Sequence, residues 1–413
     1  MAVCGLAIFG LCFSEAKAQD SNDGAVQQKM EELGRRNEEL LKRVESLEKK
    51  AAEETAGIQF RPYGWVQFDA AYDKTRTAYG DLGFMIHPET VAGAGKKELT
   101  VSGRGTRFGI NIHAPEYNGR KVLGRIEGDF CDDMAPNRYT MRFRLAYVDV
   151  AWGDGWSVRF GQDWDTYVNF HPDTVDASIL ALQGHTYARH PQARLTKETR
   201  LGEQTTLTAK FALQHGRNNS DAEGNGQPDE NAAATPNVHG SLVLKTRLLS
   251  SRQSVFTISG AYGREKVGDT AANPGTYRSR FLHAGIQLPL SEKFSLLGEG
   301  WTGDNVDNYG GGIGQGINIV KGTEISAVGG WLQGVWSFTN ALRTGAGFGV
   351  DDPADEDLSG DARTYNGRLF ANIFYRVTDK VQLGMEYSRM RTDYLQTRNM
   401  YNSRVHFGVM YFF

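Results

Sequence analysis

The chain of 413 residues is poor in cysteine, with three, and in proline, with 11, and it has no apolar run long enough to cross a bilayer as a helix. The last shortage excludes a helical membrane protein. It leaves a β-barrel open, because only alternate residues of a membrane strand face lipid and the average over the strand stays polar. The shortage of cysteine excludes a disulfide framework: Cys4 and Cys12 fall in a leader-like stretch, and Cys131 alone cannot form an internal bridge. Charge is also unremarkable, at a net −3 with 46 basic residues spread along the chain, so there is no footprint for nucleic acid. What the chain does have is glycine, at 49 residues, and aromatics, at 11%.

Residues 1–18 read as an export signal, in which the apolar stretch Val3 to Phe13 is followed by Ala16-Lys17-Ala18 ahead of Gln19. No Lys or Arg precedes that stretch, so the natural start is expected upstream of Met1. Cys12 follows Leu11 rather than a small residue, which argues against a lipoprotein anchor. Residues 19–56 form the next region. From Val26 to Ala51 apolar positions step by four and three, with Met30, Asn37 and Val44 at a and Leu33, Leu40 and Leu47 at d of a heptad seam. These six residues predict association through a coiled coil in the periplasm. Asn at an a position often goes with two strands, so the seam by itself does not set the number of chains.

From residue 57 to the end the period is two. About sixteen segments of strand length follow one another, with connections that alternate between short and long, as in a membrane barrel. In 402–413, Val405, Phe407, Val409, Tyr411 and Phe413 share one face, and Arg404, His406 and Gly408 the other. Apolar faces go to lipid and polar faces to a wet lumen. Trp152, Trp156, Trp336, Phe338, Tyr411 and Phe413 lie near segment ends, where amphipathic rings suit the membrane interface. One segment resists. Arg142 and Arg144 share parity with Val148 and Val150, so either a bulge intervenes or the arginines sit beyond the lipid belt.

The chain ends on His406-Phe407-Gly408-Val409-Met410-Tyr411-Phe412-Phe413. This resembles the C-terminal signal read by the barrel assembly machinery of Gram-negative bacteria, with His406, Gly408, Tyr411 and Phe413 carrying the pattern. Further short motifs are Tyr63-Gly64-Trp65-Val66, Glu127-Gly128-Asp129-Phe130, Ala146-Tyr147-Val148, Gly161-Gln162-Asp163-Trp164, Gly347 to Pro353, and Asn372 ahead of Tyr375. With the coiled coil they make the chain, over residues 26–413, similar to the DcaP-like trimeric outer-membrane porins. That resemblance implies a homotrimer of sixteen-stranded barrels in the outer membrane, in contact with its lipid and lipopolysaccharide. It also implies passive diffusion of small hydrophilic solutes, of an anionic, dicarboxylate type, with no enzymatic activity and no cofactor.

Residues 164–190 would then be the third outside loop, which in porins folds inward and narrows the pore. The loop and its root carry Asp163, Asp165, Asp173 and Asp176, while lumen parity puts Arg107, Arg125 and Arg159 on the wall and Arg194 on the strand leaving the loop. With Glu127 and Asp129 these are the candidate constriction residues. Opposed charges across a narrow wet pore filter solutes by charge and size. The same arginines, paired with loop acids, would equally serve to hold the loop.

Other chemistry finds little support. Gly310 to Gly316 is glycine-rich but lacks the Lys and Ser or Thr of a phosphate loop, and reads as a flexible loop tip. Asp351, Asp352, Asp355, Glu356 and Asp357 read as a solvated acidic loop. Among His87, His113, His171, His185 and His190 only the last two approach metal-ligand spacing, so no metal site is expected. Two alternatives remain: a barrel hydrolase, for which Ser388 and His406 are the one pair on neighbouring lumen faces, and a tether or adhesin anchored by a barrel.

Overall fold

The computed structural model describes residues 23–55, 57–131, 139–216, 235–268 and 271–413, with helix side chains described over 29–47. The leader expected at 1–18, part of the loop expected at 215–237, and the side chains of Val26 and Ala51 lie outside the described residues. The chain divides into two units, split after Gly57. In the first, a single helix, α1, spans Asp23–Thr55. Met30, Leu33, Leu40, Val44 and Leu47 are each about half exposed or more, and Asn37 is exposed beside them. A helix of this amphipathic kind gains most of its stability from packing its apolar stripe, and here the stripe is uncovered.

The second unit is a closed antiparallel barrel of sixteen strands. They are β1 (Gln59–Asp73), β2 (Glu98–Ser102 continued by Arg107–His113), β3 (Arg120–Asp129), β4 (Arg142–Trp152), β5 (Trp156–Trp164), β6 (Arg189–Arg200), β7 (Thr206–Gln214) and β8 (Asn237–Thr246). The rest are β9 (Ser254–Val267), β10 (Gly275–Pro289), β11 (Phe294–Asp304), β12 (Ser326–Ser337), β13 (Leu342–Pro353), β14 (Arg363–Arg376), β15 (Val381–Tyr394) and β16 (Met400–Phe412). Both parts of β2 pair with β1, which pairs along its other edge with β16, Trp65 facing Phe412 and Asp73 facing Arg404. Among the described residues no strand edge of the barrel is left open, the condition a sheet must meet in hydrocarbon.

The barrel is sorted inside out. On β14 to β16, Leu369, Ile373, Met385, Tyr387, Val405 and Phe407 are exposed outward, while Asn366, Arg368, Glu386, Ser388, Arg404 and His406 are buried inward. Strand alternation produces this directly, since successive side chains leave opposite faces. Trp152, Trp156, Trp336, Phe338, Tyr411 and Phe413 are all exposed at the short-turn end, the end at which β1 begins and β16 finishes.

Some strands run further than their apolar periodicity. β2 starts at Glu98, inside what reads as loop 74–103; β9 continues to Val267, β10 begins at Gly275, and β15 reaches Tyr394. Beyond the lipid belt both faces are polar, as with outward Arg264 and Lys266 and inward Glu265, so the pairing persists where the alternation of hydrophobicity has stopped. The β4 ambiguity resolves as a bulge. Glu127 faces Leu145 but Gly128 faces Phe143, so Arg144 is the extra residue and the parity flips there. Phe143 points out at 55% exposure and Arg144 is buried inside.

The glycine-rich stretch corrects its sequence reading. Rather than forming a flexible tip, Gly310, Gly311 and Gly312 are packed with Tyr309 and Ile313, both fully buried, and a Cβ at Gly311 would lie 2.6 Å from the Trp301 ring. Asp351 is likewise no part of a solvated loop: it is buried and accepts the Ile313 N–H at 3.1 Å, while Asp352, Asp355 and Glu356 stay exposed.

Candidate functional site

The segment between β5 and β6 folds into the barrel and docks on the wall formed by β11 to β16. Its root is tied by Asp165, which bonds the His190 ring at 2.9 Å and accepts the Tyr167 hydroxyl at 3.0 Å. Further along, His185 meets Glu299 of β11 at 2.9 Å and His171 at 2.9 Å. The Trp301 Nε1–H donates to the Gly184 carbonyl at 2.8 Å, and the Asn366 amide donates to the Leu182 carbonyl at 2.6 Å. Asp173 takes a forked pair of bonds from Arg343 at 2.7 and 3.0 Å. At the tip Asp176 is fully buried between Arg368 at 2.9 Å and Arg404 at 2.7 Å, while Arg368 also holds Glu386 at 2.6 Å and Arg404 holds Asp73 at 2.8 Å.

This docking supports backbone conformations that would not persist alone. Ile179, Leu180 and Leu182 have φ of 47°, 59° and 59°, left-handed values costly for branched side chains. Leu180 is fully buried against Trp331 and Phe370. Gly184, at φ 103°, lies so close to the wall that a Cβ there would sit 2.0 Å from the Gly330 carbonyl oxygen. Burial alone would raise the Asp176 carboxyl, but Arg368 and Arg404 override it and hold the group well below the usual carboxylate range. His171 goes the other way from an ordinary histidine: burial first, then the neighbouring His185, push it down to about 3, so it is neutral at physiological pH.

With the segment docked on one side, an opening of about 1100 Å³ remains against the opposite wall. Thr174, Val175, Ala177, Ser178 and Ile179 border it on the loop side, and Trp65, Arg107, Asp129, Arg142, Arg144, Trp164 and Arg189 on the wall side. Arg142 grips Asp129 through two bonds of 3.0 and 2.9 Å, and Arg144 bridges Glu127 at 2.7 Å and Asp129 at 2.8 Å. Arg107 stands 3.8 Å from Glu127 and 3.7 Å from Asp129, over the Trp65 ring at 4.4 Å. Arg189 has no carboxylate partner among the described residues and lies over Trp164 at 4.6 Å. Four guanidinium groups thus surround two carboxylates on this wall. Further along β1 from Trp65, Asp69 also lines the opening; it is buried, bonded to His406 at 3.1 Å and to Gln67 at 2.8 Å.

The candidates from sequence divide accordingly. Arg107 and Asp129 border the opening; Glu127 is held beside them by Arg144 at 2.7 Å and accepts the Tyr63 hydroxyl at 2.9 Å. Arg125, Arg159 and Arg194 lie lower on the same wall: Arg125 bonds Asn111 at 2.7 Å, and Asp163 joins Arg159 at 2.5 Å to Arg194 at 2.8 Å. Asp165 is sealed in the loop root and Asp173 is bonded to Arg343 of the far wall, so the structure does not bring either to the arginine cluster. Arg189, Arg343, Arg368, Glu299 and Glu386 are not among the site candidates from sequence, and Arg404 reads there only as lumen-facing. Arg189 shares parity with outward-facing Leu195, so alternation alone would send it to lipid. Ser388 faces Arg404 across the strands, and its hydroxyl has no hydrogen-bond partner among the described residues.

No family model matches the sequence, and no curated protein matches it. Solved structures do. The outer-membrane channel DcaP of Acinetobacter baumannii superposes with a TM-score of 0.72 at 19% identity, over 87% of this chain and 98% of that one. The chain has a DcaP-like porin fold. An anion-selective porin from Comamonas acidovorans gives 0.57 at 12% identity, over 86% of this chain and 100% of that one. The trimer form of OmpT, an outer-membrane protein of Vibrio cholerae, gives 0.55 at 11% identity, over 86% and 99%. At these identities the likeness is one of fold, and the inward segment and its arginine wall are read from this chain's own residues.

Proposed function

We propose that the protein is a homotrimeric outer-membrane porin, its N-terminal helix in the periplasm, through which small hydrophilic anions diffuse passively. The observation that carries this is the opening bordered by Arg107, Arg142, Arg144 and Arg189, with Glu127 and Asp129 beside them and the Asp69 carboxylate paired with His406. A surplus of fixed positive charge in a narrow, low-dielectric passage concentrates anions and repels cations. The pairs on the loop side are closed on themselves and add little field. A solute with two carboxylates suits a wall that offers two guanidinium groups, Arg107 and Arg189, each backed by an indole, and this supports the dicarboxylate-type preference. The uncovered heptad stripe of α1 supports association, and the trimer form among the structural neighbours supports its number. The terminal pattern His406, Gly408, Tyr411 and Phe413 supports recognition by the assembly machinery.

The test is a planar-bilayer recording of purified protein. Steady conductance and a zero-current potential of the sign for chloride preference in a KCl gradient are expected. A sealed barrel, or cation preference, would refute the reading.

A further inference from the structure

On the lipid-facing side of the barrel, the upper ends of β9 and β10 carry a group of cations. Arg264 faces Arg278 directly across the pair, Tyr262 faces Arg280, and Lys266 faces Thr276. All four cations are exposed and point outward, on the faces that lower down carry Ile258 and Leu282 at 54% and 56% exposure. Tyr262, also outward, sits between the apolar band and the cations, as expected for the edge of the hydrocarbon. The cations therefore stand at headgroup depth, at the long-loop end of the barrel.

Like charges directly opposite on a strand pair repel each other, and little in the chain offsets this repulsion. Arg280 pairs with Asp304 at 2.7 Å. Among the described residues no carboxylate pairs with Arg264, Lys266 or Arg278. Arg264 reaches only the Tyr262 hydroxyl, at 3.4 Å, and Glu324 accepts from the Arg278 backbone N–H rather than its guanidinium. The outward arginines of β15 differ: Arg391 is paired with Asp393 and stacked over Tyr365 at 4.9 Å, and Arg389 lies over Tyr401 at 5.6 Å.

We propose that the β9–β10 face binds the phosphorylated headgroup of an outer-leaflet glycolipid, with a phosphomonoester held between Arg264 and Arg278 and steadied by Lys266. The chemistry is complementary on both counts. A phosphomonoester offers three acceptor oxygens and close to two negative charges, which two facing guanidinium forks can share. The acyl chains of the same lipid lie along Ile258 and Leu282, which free phosphate cannot use. The inference rests on the outer-membrane placement and not on the charge preference of the pore.

Native mass spectrometry of the full-length detergent-purified protein, titrated with bisphosphorylated lipid A, tests it. Removing both lipid phosphates, or making Arg264→Gln with Arg278→Gln, is expected to weaken retention about tenfold or more. Heat-modifiable gel migration and unchanged conductance would establish that the double variant is folded. Equal retention of phosphorylated and dephosphorylated lipid, or equal retention by the folded double variant, overturns the proposal. So does inorganic phosphate that competes at the lipid's own concentration, since that would be an anion site indifferent to lipid.

Discussion

The two inner walls of this barrel use the same residue types to opposite ends. On β12 to β16, Arg343, Arg368 and Arg404 are matched by Asp173, Asp176, Glu386 and Asp73, and the deeper pairs are wholly buried. On β2 to β6, Arg107, Arg142, Arg144 and Arg189 exceed their described partners and border open space. Closed pairs fix a segment in place, whereas unbalanced charge projects a field into water. The inward segment needs the first kind of wall so that the second can act.

The largest expected effect comes from breaking the holding wall. Arg368→Ala leaves Asp176 and Glu386 buried with less compensation, a change that costs about 3–5 kcal/mol when a buried pair is broken. Single-channel recordings should show larger and noisier conductance as the segment comes loose, while the sign of selectivity is kept. Gly184→Ala should act in the same direction and less strongly, because its Cβ would meet the Gly330 carbonyl and its φ is left-handed; an added cost of about 1–3 kcal/mol is expected. Its readout is the rate of loop cleavage by a protease added from the loop side.

A smaller effect is expected from acid. Asp176 has its docked value held low, so its contribution is complete above the ordinary carboxylate range and survives at pH 4, being lost only as pH falls through the depressed value. His171 has its docked value lowered to about 3, so the undocked segment binds the extra proton as pH falls below about 6.5, and docking weakens progressively from there toward 3. Conductance noise should therefore grow between pH 6.5 and 4, and His171→Asn should abolish that growth. An unchanged acid response in the variant would assign the effect elsewhere.

Much of the barrel was legible in the chain because a membrane strand writes its two environments at alternate positions. The sixteen segments, the long-and-short alternation of loops and the inward placement of Arg107 all follow from period two. What was not legible sits where the period fails. Arg144 occupies a bulge that no pattern locates, Arg189 lies at a strand end beyond the lipid belt, and Gly310 to Gly312 look loose in sequence but are packed, Gly311 against Trp301. Arg368 and Arg404 had readable inward parity, yet their partner Asp176 lies nearly two hundred residues or more away. Only the fold brings such groups together.

The division of labour between the walls is tested most directly by recording conductance and zero-current potential together in two variants, Arg368→Gln and Arg189→Gln. Arg368→Gln should raise or destabilise conductance with chloride preference retained, and Arg189→Gln should shift the potential toward cations with conductance steady. If Arg189→Gln loosens the pore and Arg368→Gln alters only its charge preference, the assignment of holding and selecting walls is contradicted.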